Sequence, residues 1–393
     1  MRRSSSLAWV LGLSALLVAC PLSESPPLPP LADVSAGALL SLALDQDGNA
    51  WAWGYDREGQ LGIGQSLFPS YRMTPMAVRM PAGVHFTRIA AGSSHSLALD
   101  QNGNAWGWGA NNLGVVGDGS LTNRYVPVRV AMPVGIVFTD VAVTSGYSLA
   151  LDQDGAAWAW GNNNYGWPED GGELIRSTPG RVTMPAGVVF TKVSAGGWRS
   201  SPFSLALDEA GHAWAWGRNG CGQLGDGTRD ARTAPIPVAM PAGVAFTALT
   251  AGGDHAVALD QNGNAWAWGC NDDRQLGDDS DVDRLEPVPV TMPASVSFID
   301  VAAAGSYSLA LDASGGAWDW GRTYRDRDTP TLDGTAVPID MPEGVQLVGI
   351  STTGNHALAL DVDGTAWAWG DNMFGQLGDG SVSFSSSPVR VRR

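Results

Sequence analysis

Acidic residues beside a glycine recur along the sequence and have the residue types of a calcium-binding loop. Two copies are Asp45-Gln46-Asp47-Gly48 and Asp100-Gln101-Asn102-Gly103. An EF-hand loop needs more oxygen ligands and a glutamate at its twelfth position, whereas the chain after Gly48 continues directly into Asn-Ala-Trp-Ala-Trp-Gly. Asp-Gly and Asn-Gly pairs favour tight hairpin turns because both residue types tolerate positive φ. We therefore predict hairpins at these positions and no metal site.

Three histidines occupy one position of a repeated pattern, which other copies fill with tyrosine or phenylalanine. The histidines are His95, His255 and His356, and the aromatic residues are Tyr147, Phe203 and Tyr307. Exchange with aromatic residues favours packing, or a hydrogen bond to a loop, over metal binding. The serines before the Leu-Ala-Leu-Asp segments lack consistent histidine and acid partners. The adjacent Glu169 and Asp170 do not form the opposed carboxylate pair of a glycosidase. The sequence predicts neither a catalytic site nor a cofactor.

The first 20 residues have the features of a bacterial export signal. Arg2 and Arg3 precede an apolar segment that is too short to span a bilayer well. This segment ends in Leu17-Val18-Ala19-Cys20, which resembles a lipobox, in which Cys20 is lipidated and becomes the mature N-terminus. We predict a signal peptide at residues 1–19 and a proline-rich tether at residues 20–32. The alternative is an ordinary signal peptide with a chance cysteine.

The export signal predicts a location in the bacterial cell envelope, with the membrane contacted through the lipid anchor only. Pro21, rather than an aspartate, follows the cysteine and favours the outer membrane or the cell surface. An exported compartment permits a disulfide, but Cys221 and Cys270 occupy different positions in their repeats. We expect two unpaired thiols, with a bridge as the alternative.

The composition excludes one class of partner. The 393 residues carry a formal net charge of −16, only 16% of them are charged, and Lys192 is the only lysine. An acidic surface repels phosphate backbones and anionic lipid faces. We therefore expect no binding to nucleic acid.

A Trp-x-Trp-Gly motif organises the rest of the chain. It begins at Trp51, Trp106, Trp158, Trp214, Trp266, Trp318 and Trp367. The motif therefore recurs roughly every 50 residues, a period typical of propellers and solenoids. Each repeat contains four short strand candidates, such as residues 86–92, 96–100, 105–109 and 126–132, and no sustained helical period. We predict an all-β fold, a seven-bladed β-propeller of four-stranded antiparallel blades over residues 33–393.

Two details of the packing follow from the same repeats. Leu97-Ala98-Leu99 and Trp106-Gly107-Trp108 alternate large and small residues, and successive side chains of a strand point to opposite faces. We expect each blade to have one bulky face and one smooth face that interlock around the ring. Because the chain starts with a first strand and ends with a fourth, we also expect every blade to be one continuous segment. The ring would then close by face packing.

The repeat resembles that of the regulator of chromosome condensation family. The likeness covers about residues 33–393 and is close in "AAGSSHSLALDQNGNAWGWGANN" (90–112) and "AWAWGDNMFGQLGDG" (366–380). The resemblance implies a seven-bladed propeller. Eukaryotic members include a chromatin-bound nucleotide exchange factor, whose partners an exported acidic chain would not meet. Secreted bacterial members resemble protein inhibitors of β-lactamases that bind through loops on one face, which implies protein binding.

Three loops depart from the repeat, and binding specificity in repeat proteins usually lies where copies differ. Repeat three carries Trp167 in place of the usual Gly-Gln-Leu-Gly-Asp-Gly motif. Repeat four has an insertion with Trp198 and Arg199. Repeat six has lost the motif and carries a basic cluster, which comprises Arg322, Tyr324, Arg325 and Arg327. We expect all three on the face formed by loops after the first and third strands. Trp, Tyr and Arg are enriched at binding hot spots, although drift in loops would also produce such differences.

One further departure lies inside a blade. Asp319 replaces the Ala or Gly that other repeats have between the two tryptophans. A buried acid must be paired or must lie at a hydrated position. We therefore expect the interface between blades six and seven to be the weakest in the ring.

The sequence as a whole predicts a lipid-anchored, monomeric, non-catalytic module outside the cytoplasm that binds or scaffolds a protein. The candidate binding face carries Trp167, Trp198, Arg199, Tyr324, Arg325 and Arg327. The alternatives are a propeller that binds glycan or cell wall through the same aromatic residues, a protein inhibitor of a secreted enzyme, and a purely structural surface protein.

Overall fold

The computed structural model of the chain describes residues 27–64, 69–162, 175–197, 202–323 and 331–393. These residues form 28 β-strands in seven antiparallel sheets of four strands each, and they contain no helix. Within every sheet the strands lie in sequence order. The predicted seven-bladed propeller is therefore confirmed.

The first four blades have the following strands. Blade one contains β1 (Leu31–Ala36), β2 (Leu40–Asp45), β3 (Ala50–Tyr55) and β4 (Tyr71–Ala77). Blade two contains β5 (Phe86–Ala91), β6 (His95–Asp100), β7 (Ala105–Gly109) and β8 (Arg124–Arg129). Blade three contains β9 (Phe138–Val143), β10 (Tyr147–Asp152), β11 (Ala157–Asn162) and β12 (Ile175–Arg181). Blade four contains β13 (Phe190–Gly196), β14 (Phe203–Asp208), β15 (Ala213–Gly217) and β16 (Arg232–Pro237).

The remaining three blades complete the ring. Blade five contains β17 (Phe246–Ala251), β18 (His255–Asp260), β19 (Ala265–Gly269) and β20 (Arg284–Pro289). Blade six contains β21 (Phe298–Ala303), β22 (Tyr307–Asp312), β23 (Ala317–Thr323) and β24 (Thr331–Pro338). Blade seven contains β25 (Leu347–Thr352), β26 (His356–Asp361), β27 (Ala366–Gly370) and β28 (Ser385–Arg390).

The ring closes by packing of blade seven against blade one. The first strands of successive blades contact one another around the centre, and β1 completes the circle through contacts with β25 and β26. No strand is exchanged between blades, because each sheet is one continuous segment. The predicted mode of closure is confirmed.

The prediction of one bulky and one smooth face per blade is wrong. The register of β6 and β7 pairs Leu97 with Gly107 and Ala98 with Trp106. Each face of a blade therefore combines large residues of one strand with small residues of its neighbour. The leucine-bearing face of one blade packs against the tryptophan-bearing face of the next, as Leu42 of blade one does with Trp108 of blade two. Interlocking results from this alternation within each face.

The acidic hairpins hold the tryptophans in place, and the predicted hairpins are confirmed. In blade two the Asp100 carboxylate accepts hydrogen bonds from the backbone of Asn102 and Asn104 and from Trp106 Nε1, the last at 3.0 Å. Desolvation opposes ionisation of Asp100, but these hydrogen bonds hold its pKa below the usual value. The same carboxylate–indole bond occurs in all seven blades. The aspartate is a structural residue whose carboxylate oxygens already accept hydrogen bonds within the hairpin.

The disc has two faces that carry different loops. We call the face with the loops after the first and third strands the loop face; Ala110 N donates to Ser94 O there. The opposite face, the hairpin face, carries the Asp-Gly hairpins and the connections between blades. There Phe86 N donates to Gly48 O. The predicted division of the loops between two faces is confirmed.

Candidate loop-face interface

The predicted site residues lie outside the described residues. This applies to the lipidation site, Cys20, and to the candidate binding face, Trp167, Trp198, Arg199, Tyr324, Arg325 and Arg327. The described residues on either side of these segments fix the face from which the segments leave. Asn162 ends β11, Gly196 ends β13 and Thr323 ends β23, and all three strand ends lie on the loop face. The departures in repeats three, four and six therefore start from one face.

The loops after the first strands close the loop-face end of the central channel. Ala38 N donates to Gly92 O, Gly197 N to Gly252 O, and Gly253 N to Ala304 O. The Thr144 hydroxyl of blade three also donates to Gly197 O, at 2.8 Å. Gly197 directly precedes Trp198, so the insertion of repeat four begins at the rim of this channel between blades three and five.

Cys221 and Cys270 form a disulfide between blades four and five, so the expectation of two unpaired thiols is wrong. The two positions are not equivalent in the repeat, but the third-strand loop of blade four extends over blade five. This brings the two Cα atoms to 5.0 Å, a normal distance for a disulfide. Sequence position within a repeat was a poor guide because the contact crosses between two repeats.

Asp283 lies beside the disulfide and belongs to the only group of three metal-capable side chains in the described ranges. Its other members, Cys221 and Cys270, are bonded to each other and so provide no thiolate ligands. Asp283 is instead paired with Arg229 at 3.0 Å. The group therefore acts as a structural link between the loops of blades four and five.

Ion pairs connect further loops of blades four, five and six. Arg218 contacts Asp254 at 3.0 Å, and Arg322 contacts Asp273 at 3.5 Å. Desolvation raises the pKa of the Asp254 carboxyl, and the charge of Arg218 partly opposes this rise. Arg322 is thus the member of the predicted basic cluster that the structure describes, and its guanidinium reaches Asp273 of blade five.

The three repeat-position histidines are neutral structural residues. Ser148 Oγ donates to Val115 O at 2.8 Å, so it accepts the bond from His95 Nε2 at 2.9 Å. Burial lowers the pKa of His95 and His255 to about 3 and that of His356 to about 4. His255 and His356 make the same inter-blade contact to Ser308 and Ser41. The prediction of packing is confirmed, and the hydrogen bonds go to strand serines of the next blade rather than to a loop.

Charged side chains at the inner strands were missed in the sequence. Asp33, Arg88, Asp140, Lys192 and Asp300 share one position of the first strand, third in segments such as Phe-Thr-Arg and Phe-Thr-Lys. Desolvation raises the pKa of Asp33 to about 6; Arg88 opposes this rise and Asp300 adds to it. The variation of this one position between acid, base, alanine and glycine is the signal that identifies it.

Asp319 lies at the interface of blades six and seven, as expected, and is 8% exposed. It pairs across the sheet with Leu309 and lines a cavity of about 230 Å³. The cavity opens between β23 and β27, with Tyr307, Arg322 and Trp369 also on its wall. The carboxylate already interacts within the protein, and whether it is paired or hydrated stays a prediction.

Within the described ranges, no helix meets the length and apolarity that crossing a membrane requires.

Comparison with known proteins gives a family for the chain. A family model described as RCC1-like domain matches residues 11–327, and two models of the regulator of chromosome condensation (RCC1) repeat match residues 348–376 and 363–393. The ultraviolet-B receptor UVR8 of Arabidopsis thaliana is 29% identical over 293 residues, which are 74% of this chain and 65% of UVR8. The mitochondrial RCC1 domain-containing protein RUG3 of the same plant is 31% identical over 301 residues, 73% of this chain and 64% of RUG3.

The chain therefore spans slightly less than two thirds of the length of these two relatives. Among solved structures, Prp20p from Saccharomyces cerevisiae shares the fold, with a TM-score of 0.73 at 24% identity over 93% of this chain and 87% of Prp20p. An RCC1-like propeller is typical of a non-catalytic, protein-binding module, and the described residues contain no catalytic domain beside it. The matched repeats and the seven-bladed ring together assign the chain to the RCC1-like propeller family.

Proposed function

We propose that this protein is an exported, monomeric propeller, lipid-anchored through Cys20, that binds a protein partner through its loop face. The observation that carries the proposal is the convergence of three repeat departures on one face. Blades three, four and six each depart from the repeat there, whereas the Asp-Gly hairpins of the opposite face are nearly uniform. Variation confined to one face is typical of a binding surface on a repeat scaffold.

A cross-linked region elsewhere on the loop face supports the proposal. The Cys221–Cys270 disulfide and the Arg229–Asp283 pair hold the loops of blades four and five together. Rigid loops lose less conformational entropy when they bind. The disulfide also supports export, because disulfides persist mainly in oxidising compartments.

The fold has a precedent for protein partners. The crystal structure of Prp20p was described together with its binding properties to Gsp1p and histones. Those partners belong to Prp20p. The net charge of −16 makes basic surfaces the better electrostatic match for this chain.

Affinity capture tests the proposal. Residues 21–393 serve as bait against the envelope extract of the source cell, beside a bait carrying Trp198→Ala and Arg199→Ala. A matched control carries Val134→Ala and Glu209→Ala, two exposed positions on the hairpin face. A protein retained by the first and third baits but lost from the second supports loop-face binding. Equal retention by all three baits contradicts it.

Two outcomes of the capture separate the proposal from its alternatives. Material that is a glycan, and whose retention depends on Trp198 but not on Arg199, assigns the loop face to sugar binding. If only the hairpin-face variant loses the partner, the partner binds the hairpin face, and the proposal of loop-face binding is wrong.

Lipidation has its own test. Mass spectrometry of the mature N-terminus in the native cell should detect acyl chains on Cys20, and Cys20→Ala should release the protein from the membrane fraction. A mature N-terminus without acyl chains, whichever residue it begins with, would contradict lipid anchoring. It would not affect the proposal of loop-face binding.

A further inference from the structure

In five of the blades, where the structure describes the loop after the third strand or its buried part, this loop inserts a similar turn into the interface with the next blade. Each turn contains one apolar residue that is fully buried, and we call this residue together with the residue before it the plug. The buried residues are Leu61, Val116, Leu224, Leu276 and Leu377. The residue before each of these accepts a hydrogen bond through its carbonyl from the next blade's tryptophan. Gln60 O, for example, accepts from Trp108 Nε1 at 2.9 Å. The plug fills the loop-face end of the interface.

The chain of blade six takes a different path at this point. Gly321 pairs with Asp333, twelve residues later, whereas Gly269 of blade five pairs with Arg284, fifteen residues later. The shorter connection extends β23 and β24 until Thr323 pairs with Thr331. Repeat six also lacks the Gln-Leu-Gly sequence from which the plug is made.

The 230 Å³ cavity between blades six and seven has the walls of a plug site. In blades one and two, the plug turn lies against Val78, Trp108 and Tyr125. The positions equivalent to these three are Ile339, Trp369 and Ser386, and all of them line the cavity. We call this cavity the socket.

Asp319 lies where the equivalent residue of another blade contacts its plug. Its equivalent in blade two is Gly107, where an added Cβ would lie 2.6 Å from the Val116 carbonyl oxygen of the plug. The other blades have nothing larger than alanine at this position. The carboxylate of Asp319 therefore extends from a position that lies close to the plug in blade two.

The socket favours a cation. Among the described residues of its wall, Asp319 and Asp340 are acidic and Arg322 is basic, and the Arg322 guanidinium contacts Asp273 of blade five at 3.5 Å. The Trp369 indole adds an aromatic wall, and cations are attracted to indole faces. At about 30 Å³ per water, the volume equals roughly seven or eight waters, enough for one long side chain and too small for a large ligand.

We propose that the socket binds a guanidinium or ammonium group on an aliphatic stem, with Asp319 as its counter-ion. If this cationic group is the side chain of a partner protein, the inference rests on the proposed function. The partner would then present an exposed Arg or Lys to the socket. Asp319 already interacts within the protein, so the incoming cation joins or displaces an existing contact, and we expect millimolar affinity for a small probe.

The test uses residues 21–393 labelled with 5-fluorotryptophan and 19F NMR, with Trp369→Phe to assign the Trp369 signal. The probe is N-acetylarginine methylamide, and the control is its neutral citrulline analogue. We expect a saturable shift of the Trp369 signal with the arginine probe and at least tenfold weaker binding of the citrulline probe. Asp319→Ala, which restores the residue type of most other blades, should weaken arginine binding at least tenfold.

Equal binding of both probes, or arginine binding that survives Asp319→Ala and Asp319→Asn, would overturn the inference. Agmatine and a pentapeptide with a central arginine distinguish the source of the cation. Tighter binding of the peptide supports a protein side chain, and tighter binding of agmatine supports a free amine. If the socket binds arginine but the capture experiment retains no protein, only the proposed function fails.

Discussion

The interfaces on the two sides of blade six are built from the same repeat but differ in what fills them. Between blades five and six, the Leu276 plug is fully buried, and Gln275 O accepts hydrogen bonds from Trp320 and Ser308. Between blades six and seven, Asp319 and Trp369 face a cavity. Two interfaces built from the same repeat therefore differ in their described packing: a buried leucine lies in one, and a cavity beside Asp319 lies in the other.

The largest expected effect comes from truncating the two equivalent tryptophans. Trp320 is fully buried and hydrogen-bonded, whereas Trp369 is 7% exposed beside the socket. We expect Trp320→Ala to lower the free energy of unfolding by about 3–5 kcal/mol and Trp369→Ala by roughly half as much. Chemical denaturation of both variants measures the difference. Equal losses would mean that the socket wall packs as tightly as a filled interface.

The interface of blades four and five is cross-linked by a disulfide, in contrast to the interface that contains the socket. Its two cysteines are 49 residues apart, and closing a loop of this length stabilises a protein by about 2–4 kcal/mol. Replacement of Cys221 and Cys270 by serine should lower the free energy of unfolding by this amount under oxidising conditions. With excess reductant, the wild-type protein should match the variant; a wild-type protein that keeps its advantage there would contradict the assignment.

The interface of blades five and six should be sensitive to acid through His255. Burial holds its folded pKa at about 3, against roughly 6.5 when unfolded. The unfolded chain therefore binds more protons as the pH falls below 6.5, so this contribution to stability is complete above that pH and is lost on acidification. From pH 6.5 to 5 the loss is about 1.5–2 kcal/mol for one histidine.

His255→Phe isolates this effect, because blade four has Phe203 at the same position. The variant should lose about 1.5–2 kcal/mol less than the wild type between pH 6.5 and 5. Asp33, whose pKa is raised to about 6, acts in the opposite direction in both proteins and cancels in the difference. Parallel pH profiles would show that His255 does not stay neutral in the fold.

Hydrogen exchange compares the interface of blades six and seven with that of blades one and two, which contains a plug and no disulfide. We expect amides of β23 and β27 beside the socket to exchange about tenfold faster than the equivalent amides of β3 and β7, a difference of about 1.4 kcal/mol in local opening. The expectation follows from the cavity beside β23 and β27. Equal protection would show that the interface of blades six and seven is not the weakest.

The smallest effect concerns the backbone of repeat five. Ser295 has φ of +73°, while equivalent positions such as Gly243 and Gly344 are glycines with open space around them. A left-handed conformation costs a non-glycine residue about 1 kcal/mol or more, partly offset by the unfolded-state entropy of glycine. Ser295→Gly should raise the free energy of unfolding by about 0.5 kcal/mol, and Thr291→Gly nearby should not. A loss of stability with Ser295→Gly would contradict this account.

Much of the fold and part of the candidate site could be predicted from particular residues. The regular Trp-x-Trp-Gly motifs identified seven blades, and the Asp-Gly pairs identified the hairpins, because both depend on local strand and turn chemistry. Asp319 was recognisable because it breaks a small-residue position. The charges of Arg88 and Lys192 in the channel were missed because a single varying position inside a strand carries little weight without knowledge of which strand is innermost.

The sequence by itself determined the number of blades, the strands, the two sets of loops and the continuous blade that closes the ring, since these follow from repeated local patterns. Only the tertiary structure decided which residues meet across strands and across blades. Strand register placed Leu97 opposite Gly107, and the lean of one loop over the next blade joined Cys221 to Cys270. The same packing placed the buried Asp319 beside a cavity between blades six and seven. Contacts between repeats are set by the ring, and no single repeat encodes them.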